Sequence, residues 1–244
     1  MLFTLEALPA AEGDSLLLHW GTKAKPKLAV IDGGPGQVYE QSLLPRLETI
    51  RTKRGVDRLR IELAMVSHVD NDHVIGIKKL FRVLRKEVED GIAVNKRKLD
   101  VRRLWHNTFN DILGDGLDAY YQKLTASVTA SAGGEPTPAL VKKVESAVKK
   151  QHGGTAAEAS ASARWISKIL AGHDAGRELR VDYDFLLGKA QIMKLNAPFQ
   201  SGGAATLIMQ DTAASPETVE DLEFRGVGPL LAEVKKLQKQ FDAY

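Results

Sequence analysis

The chain has 244 residues, of which 43% are hydrophobic and 27% charged, as in folded globular proteins. Its formal net charge of +3 is too small to predict nucleic-acid binding, and the absence of cysteine excludes disulfides and thiolate metal sites. No apolar run approaches the roughly 20 residues that span a bilayer, and the N-terminus lacks the basic-then-apolar order of a signal peptide. We therefore expect a cytoplasmic protein with no membrane partner.

Three apolar segments at the N-terminus predict strands. Leu2–Leu8 alternates as a first strand, Leu16–Trp20 is the second, and a turn at Gly21–Pro26 leads into the third, Leu28–Asp32. The third strand ends in Asp32 and a pair of glycines, and glycine permits both close backbone approach and positive φ. No Gly-Lys-Ser/Thr follows, so this turn is not a phosphate-binding P-loop.

Helices and strands then alternate. Leucines at helical spacing predict a helix over Ser42–Arg54 that stops at Gly55, and the apolar run Ile61–Val66 predicts the next strand. A second helix is expected after His73, running to about Glu89, and is followed by a strand at Val101–Trp105. This order is typical of an α/β layered fold.

The residues between the fourth strand and the second helix carry the strongest sign of chemistry. His68, Asp70, Asp72 and His73 fall within six residues, so two imidazoles and two carboxylates follow the end of one buried strand. Mixed nitrogen and oxygen ligands suit Zn, Mn or Fe better than Mg or Ca, which prefer oxygen alone. The spacing predicts a metal site on this loop.

The same residues allow a purely structural interpretation. Asp72 can cap the helix, His73 can lie in its first turn, and His68 can make an ordinary hydrogen bond at the strand end. Asp32 can likewise do no more than begin the turn before Gly33. The two interpretations differ in whether the side chains converge on one point.

His106 and Asn107 stand directly after the predicted strand Val101–Trp105. A histidine at a strand end can bind a metal, but we favour a structural or pocket-lining role for both residues. Asp14 is a further candidate for the same pocket.

From about position 110 the composition shifts toward Gly, Ser, Thr and Ala. Thr137-Pro138 opens a predicted helix that closes at Gly153-Gly154, and a capping box at Thr155–Glu158 opens another that runs through Leu170. These helices form either an inserted cap that shapes access to the site or ordinary packing elements.

The last part of the chain is less regular. His152 and His173 follow helix ends and are expected to be solvated, and Arg180–Leu187 fits either a strand or a helix. The remaining predicted elements are short strands at Leu195–Phe199 and Leu222–Val227 and a helix from Gly228 to Phe241.

The order of these motifs resembles that of the metallo-β-lactamase-fold hydrolases. Gly13-Asp14-Ser15, Asp32-Gly33-Gly34, His68 to His73 and Gly76 are most similar to the branch that contains the hydrolase domain of bacterial DNA-uptake competence proteins, over about the first 110 residues. The usual family signature is H-x-H-x-D-H. Asp70 stands here in place of its second histidine, as in that branch.

The resemblance implies an αββα sandwich in which His68, Asp70, Asp72 and His73 bind one or two metal ions. Zinc is the expected metal, with manganese or iron as alternatives. The resemblance also implies that Asp32 lies beneath the metal and orients a ligand histidine. Asp72 is then the catalytic residue, as general base toward the attacking water.

The second half of such a sandwich is not recognisable in the sequence. It would supply a bridging aspartate beside glycine at a late strand end and a histidine near the C-terminus, and neither is found. We therefore expect a first half only, with residues 1–110 as its N-terminal part, 111–178 as a helical insertion or cap, and 179–244 as further strands and a C-terminal helix of the same domain. Such a sheet exposes an apolar face, which favours a homo-oligomer or a partner chain that completes the site.

The leading expectation is a metal-dependent hydrolase that cleaves a phosphodiester or another ester with metal-activated water. The alternative is a truncated or inactive subunit that acts by association with a partner chain. A nucleic-acid-binding module without catalysis rests on local basic residues alone and is the weakest of the three.

Overall fold

A computed structural model describes residues 2–108, 156–189, 194–201, 204–205, 208–209 and 216–226, with isolated positions between 138 and 239. The strands of the central part are β1 (Leu2–Ala7), β2 (Leu16–Gly21), β3 (Pro26–Ile31), β4 (Leu59–Ile61), β5 (Leu63–Met65), β6 (Leu99–Val101), β7 (Arg103–Trp105) and β8 (Lys194–Leu195). Four shorter strands follow: β9 (Gln200–Ser201), β10 (Ala204–Ala205), β11 (Glu217–Val219) and β12 (Leu222–Phe224).

The helices lie between these strands. A π-helical turn (Tyr39–Leu43) leads directly into α1 (Leu44–Lys53), and α2 (Asn71–Glu89) follows β5. A 3-10 turn (Val94–Lys96) precedes β6, and α3 (Ala156–Gly188) precedes β8.

Six strands form one mixed sheet in the order β1-β2-β3-β5-β7-β8. The first three strands are antiparallel, whereas β3, β5, β7 and β8 run parallel. β4 and β6 form a parallel pair that leads into β5 and β7 after a single residue each. Because parallel strands end at a common edge, the segments after β3, β5, β7 and β8 meet there, which determines where the site forms.

One face of the sheet is covered by the helices. Leu17, Leu28 and Val30 on this face belong to the same buried cluster as Leu80 and Phe81 of α2. Helix α2 is amphipathic, with buried residues recurring three and four positions apart, as expected for a helix with one face on the core. Each such fully buried side chain stabilises the fold by about 1.5–3 kcal/mol.

The opposite face of the sheet carries a second apolar cluster. Leu18, Trp20 and Trp105 pack there with Phe199 and Val219, so the β11–β12 hairpin covers part of this face. The Trp20 indole N–H donates to the Glu220 carbonyl oxygen at 2.9 Å, which anchors the hairpin turn.

The edge strand β1 extends this second face beyond the hairpin. Phe3 is paired with Trp20 and Leu5 with Leu18, and directly paired residues share a face of the sheet. Phe3 is 64% exposed and Leu5 57% exposed. An apolar strip therefore remains open to solvent at this edge.

The prediction of an α/β fold is confirmed, and β1 to β3 lie within about two residues of their predicted bounds. Helix α2 begins at Asn71, so Asp72 and His73 lie in its first turn. Helix α3 does not stop near Leu170 but continues to Gly188. Arg180–Leu187, which the sequence left undecided, is therefore helical.

Helix α3 also crosses position 178, where the predicted insertion ends. Its residues Ala175, Leu179, Tyr183 and Leu186 belong to the buried cluster under the sheet, so this half of the helix is a packing element. The helices predicted at 137–153 and 228–241 and the residue His152 lie outside the described residues, apart from isolated positions. Among the helices of the described segments, none combines the length and the apolar character that a membrane crossing requires.

Candidate metal centre

The candidate site lies where the parallel strands end. Asp32 follows β3, His68 follows β5 and His106 follows β7, so three segments that are distant in sequence meet at one edge of the sheet. The pairing continues beyond β3 and β5 themselves, since the Asp32 N–H donates to the Met65 carbonyl at 2.8 Å. This bond fixes Asp32 beside the loop that carries the histidines.

Glycines allow the start of α2 to press against the turn after β3. A Cβ on Gly76 would lie 2.0 Å from the Gly33 carbonyl oxygen, and a Cβ on Gly33 would lie 2.3 Å from the Ile77 nitrogen. Neither position accommodates a side chain. The Gly33 N–H donates to the His73 carbonyl oxygen at 2.8 Å, so this approach also determines where His73 stands.

Asp32 is a buried residue that connects the histidine loop to His73 by hydrogen bonds. It is 2% exposed and has φ +56°, a left-handed conformation that Asp tolerates better than most residues. Its Oδ1 accepts the Ser67 N–H at 2.8 Å, and its Oδ2 accepts the Ser67 hydroxyl at 2.6 Å. The same Oδ2 lies 3.0 Å from Nδ1 of His73, in the buried interior. One carboxylate therefore fixes both the loop backbone and the imidazole.

These bonds determine the tautomer of each histidine. A carboxylate only accepts, so Nδ1 of His73 carries the proton that it donates to Asp32. The single hydroxyl proton of Ser67 is directed to Asp32, so the same oxygen accepts from Nδ1 of His68, 3.0 Å away. In the neutral form of each imidazole, these bonds leave the lone pair on Nε2.

Carboxylates face both of these Nε2 atoms. Nε2 of His73 lies 3.4 Å from Asp72 Oδ2, and Nε2 of His68 lies 3.7 Å from Asp70 Oδ2. The two rings lie against each other, with centroids 3.9 Å apart. A lone pair facing a carboxylate oxygen is unfavourable unless a cation or an additional proton lies between them. The four predicted ligands therefore form two His–Asp pairs with adjacent rings, and among the described residues they are not a group whose ligand atoms all lie within 4.8 Å of one another.

The charge of the site is strongly negative. Within the described part of the chain, the ion pairs of Asp14, Asp32, Asp70 and Asp72 are all with His68 or His73, and none is with lysine or arginine. Asp14 is 61% exposed, Asp70 52% and Asp72 36%, so solvent reaches the outer three carboxylates. Such a group of acids attracts a cation.

A second arrangement of ligands is tighter than the predicted one. Asp14, Asp32 and His73 each offer an atom within 4.8 Å of the others, and Nδ1 of His73 lies 3.7 Å from Asp14 Oδ2. This group shares only His73 with the four predicted ligands. Its use of Nδ1 competes with the hydrogen bond to Asp32, because one nitrogen cannot both donate a proton and bind a metal.

Comparison with protein-family models, with curated proteins and with solved structures finds no match for this chain. The resemblance to the metallo-β-lactamase fold therefore stays a prediction.

His106 and Asn107 lie behind the loop. His106 is 1% exposed, and its backbone N–H donates to Asn196 Oδ1 at 2.8 Å. Asn107 accepts the Ile208 N–H and donates to the Ile208 carbonyl, at 3.0 and 2.9 Å. Both residues thus tie β7 to the chain that follows β8. These contacts are structural ones, and the group of converging ligand atoms found among the described residues does not include His106.

The prediction that His173 is solvated is wrong. His173 is 3% exposed, because α3 continues past it and packs this part of the helix against the core and the loop. Its neighbour Gly172 lies directly against Val69 and Asp70. The sequence analysis also missed Ser67 and Asn196, which orient the histidine loop and the end of β7.

Proposed function

We propose that this protein is a metal-dependent hydrolase that cleaves a phosphodiester or another ester. The observation that supports it is that the Nε2 atoms of two adjacent imidazoles each face a carboxylate, in a site whose acids have no lysine or arginine partner among the described residues. This donor set of imidazole nitrogen and carboxylate oxygen fits Zn, Mn or Fe.

The residues that would hold the metal are His68, Asp70, Asp72 and His73. A divalent ion held there would lower the pKa of a bound water molecule and would offset negative charge that develops during ester hydrolysis. Asp14 and Asp32 make the region still more acidic. Asp32 remains with His73 Nδ1 and keeps the ring oriented, as carboxylates behind metal-binding histidines do.

Asp72 also has the position of a general base. It lies in the first turn of α2, is partly exposed, and its Oδ2 is 3.4 Å from Nε2 of His73. A carboxylate here can accept a proton from a water molecule at the site. A cytoplasmic location, which the sequence predicts, is part of the same proposal.

The experiment uses the full chain stripped with chelator and reloaded with Zn²⁺ or Mn²⁺. Metal content is measured by inductively coupled plasma mass spectrometry, and activity with bis(p-nitrophenyl) phosphate and p-nitrophenyl acetate. We expect one or two bound ions and metal-dependent cleavage that Asp72→Asn abolishes and Asp57→Asn, an exposed control, preserves. A chain that binds neither metal would contradict the proposal.

A second candidate is a subunit that acts by association, and the exposed Phe3 and Leu5 favour it. They stand on an edge strand and continue the apolar face formed by Leu18 and Trp20. Sedimentation at several concentrations tests it, with Phe3→Lys/Leu5→Lys as the variant. A monomer at all concentrations, with metal-dependent activity, would exclude this candidate.

A further inference from the structure

Helix α3 lies against the histidine loop at Val69 and the backbone of Asp70. A Cβ on Gly172 would lie 2.2 Å from the Val69 carbonyl oxygen and 3.3 Å from the Asp70 Cα. A Cβ on Gly176, one turn later, would lie 3.1 Å from Val69 Cγ1. The helix therefore packs against both the backbone and the side chain of Val69.

Val69 differs from both of its neighbours in exposure. It is 5% exposed, whereas the side chains of His68 and Asp70 are about half exposed and belong to the proposed ligand set. The chain at this point is a loop rather than a strand or helix. The buried Val69 side chain therefore restrains the backbone that carries His68 and Asp70.

Helix α3 is itself fixed relative to α2, which carries the other two ligands. Asp182 is fully buried and accepts from Arg82 Nε at 2.7 Å and from Arg85 Nη1 at 3.2 Å. Lys78 Nζ lies 3.1 Å from Glu178 Oε2, closer to the site. These ion pairs hold the two helices in one alignment along their length.

We propose that Val69 is a positioning residue, and that its packing against Gly172 and Gly176 of α3 sets the distance between the ligand pair His68–Asp70 and the ligand pair Asp72–His73. The proposal rests on the proposed function, since it concerns the same metal site. It assigns to α3 a role in metal affinity that goes beyond its contribution to the core. No step of hydrolysis is assigned to Val69.

The test is a cycle of two substitutions that exchange volume across the contact. Gly176→Ala adds a methyl group 3.1 Å from Val69 Cγ1, closer than an ordinary contact, and Val69→Ala removes both γ-methyl groups of Val69. We expect each single variant to weaken Zn²⁺ binding by about tenfold, as changes behind metal ligands commonly do. In the double variant the crowded Cγ1 is gone and the new Cβ of residue 176 fills part of the space, so we expect it to recover part of the lost affinity.

Matched controls are available in the same helices. Gly188→Ala adds a methyl group where no atom lies within 4 Å, and Val83 is an exposed valine on α2 for Val83→Ala. Zn²⁺ affinity is measured by competition with a chromophoric chelator. Thermal unfolding in excess EDTA reports separately on the metal-free fold.

Three outcomes have distinct meanings. Weakened binding in both single variants with recovery in the double variant supports the proposal. If the single variants lower the melting temperature in EDTA but bind Zn²⁺ as the wild type does, Val69 only supports the fold and the proposal is wrong. If the wild-type chain binds no metal, the proposed function fails and this inference fails with it.

Discussion

Asp32 and His73 are joined twice, by side chain and by backbone. Oδ2 of Asp32 accepts from Nδ1 of His73 at 3.0 Å, and the residue after Asp32 donates its N–H to the His73 carbonyl oxygen at 2.8 Å. The first bond sets the rotation of the ring and the second sets the position of the helix that carries it. A ligand held in this way needs little rearrangement to bind a cation.

Asp32→Asn is predicted to lower metal affinity by about 10- to 100-fold with little change in the fold. Asn tolerates the left-handed backbone of Asp32 (φ +56°), but its neutral amide binds the imidazole N–H less strongly than a carboxylate does. Chelator competition measures the affinity, with Asp57→Asn as control. Equal affinity in wild type and Asp32→Asn would show that Asp32 does not act on the metal site.

Asp70→Asn and Asp14→Asn distinguish the two possible ligand groups. We expect Asp70→Asn to weaken metal binding more, because Nδ1 of His73 is occupied by Asp32 and only its Nε2 remains for a metal. Both side chains are more than half exposed, so neither variant should change the unfolding free energy greatly. A larger effect of Asp14→Asn would show that the metal binds instead to the group Asp14, Asp32 and His73.

Gly76→Ala is predicted to destabilise the protein by about 3 kcal/mol, because overpacking against a fixed backbone costs this much. The added Cβ would lie 2.0 Å from the Gly33 carbonyl oxygen. Because this oxygen belongs to the backbone, rotation of a side chain cannot relieve the clash. Urea unfolding measures the loss. Gly188→Ala, in open space at the end of α3, is the control and should change stability little.

The elements that position the site were predictable to a useful degree. Strand ends at Asp32 and Val66 follow from apolar runs that stop at polar residues, and the glycines at 33 and 76 mark the close approach that the structure shows. Sequence spacing also placed the two histidines with Asp70 and Asp72 on one loop, and the family resemblance added Asp32. The ends of apolar runs and the positions of glycines are local features, which can be recognised in a single sequence.

The remainder depends on contacts that sequence spacing does not encode. Ser67 is not distinguished in the sequence from other loop serines. Its hydroxyl donates to Asp32, 35 positions earlier, and its oxygen is therefore left to accept from Nδ1 of His68. The helical pattern of apolar residues is interrupted on either side of His173 by Gly172 and Gly176, and glycines at such positions are typical of a helix end. In the structure the helix continues, and the two glycines leave room for Val69 to pack against it. Their presence is explained by this tertiary contact and not by the end of a helix.

Glu87 provides a prediction that does not involve the metal. Its Oε2 is buried without a hydrogen bond among the described residues, and burial raises the pKa of Glu87 above its ordinary value of 4.5. Arg97, Lys98 and Arg58 act in the opposite direction without cancelling the burial. The folded chain therefore binds this proton more tightly than the unfolded chain does.

The sign of the resulting pH dependence follows by linkage. The contribution of Glu87 to stability is fully present below about pH 4.5 and is lost as the pH rises through its raised pKa. Glu87→Gln keeps the neutral form at every pH, so we expect it to match the wild type near pH 4 and to be more stable at pH 7. Urea unfolding from pH 4 to 7 measures the difference, with the exposed Glu223→Gln as control. A difference that stays constant over this range would show that Glu87 titrates alike in the folded and unfolded chains.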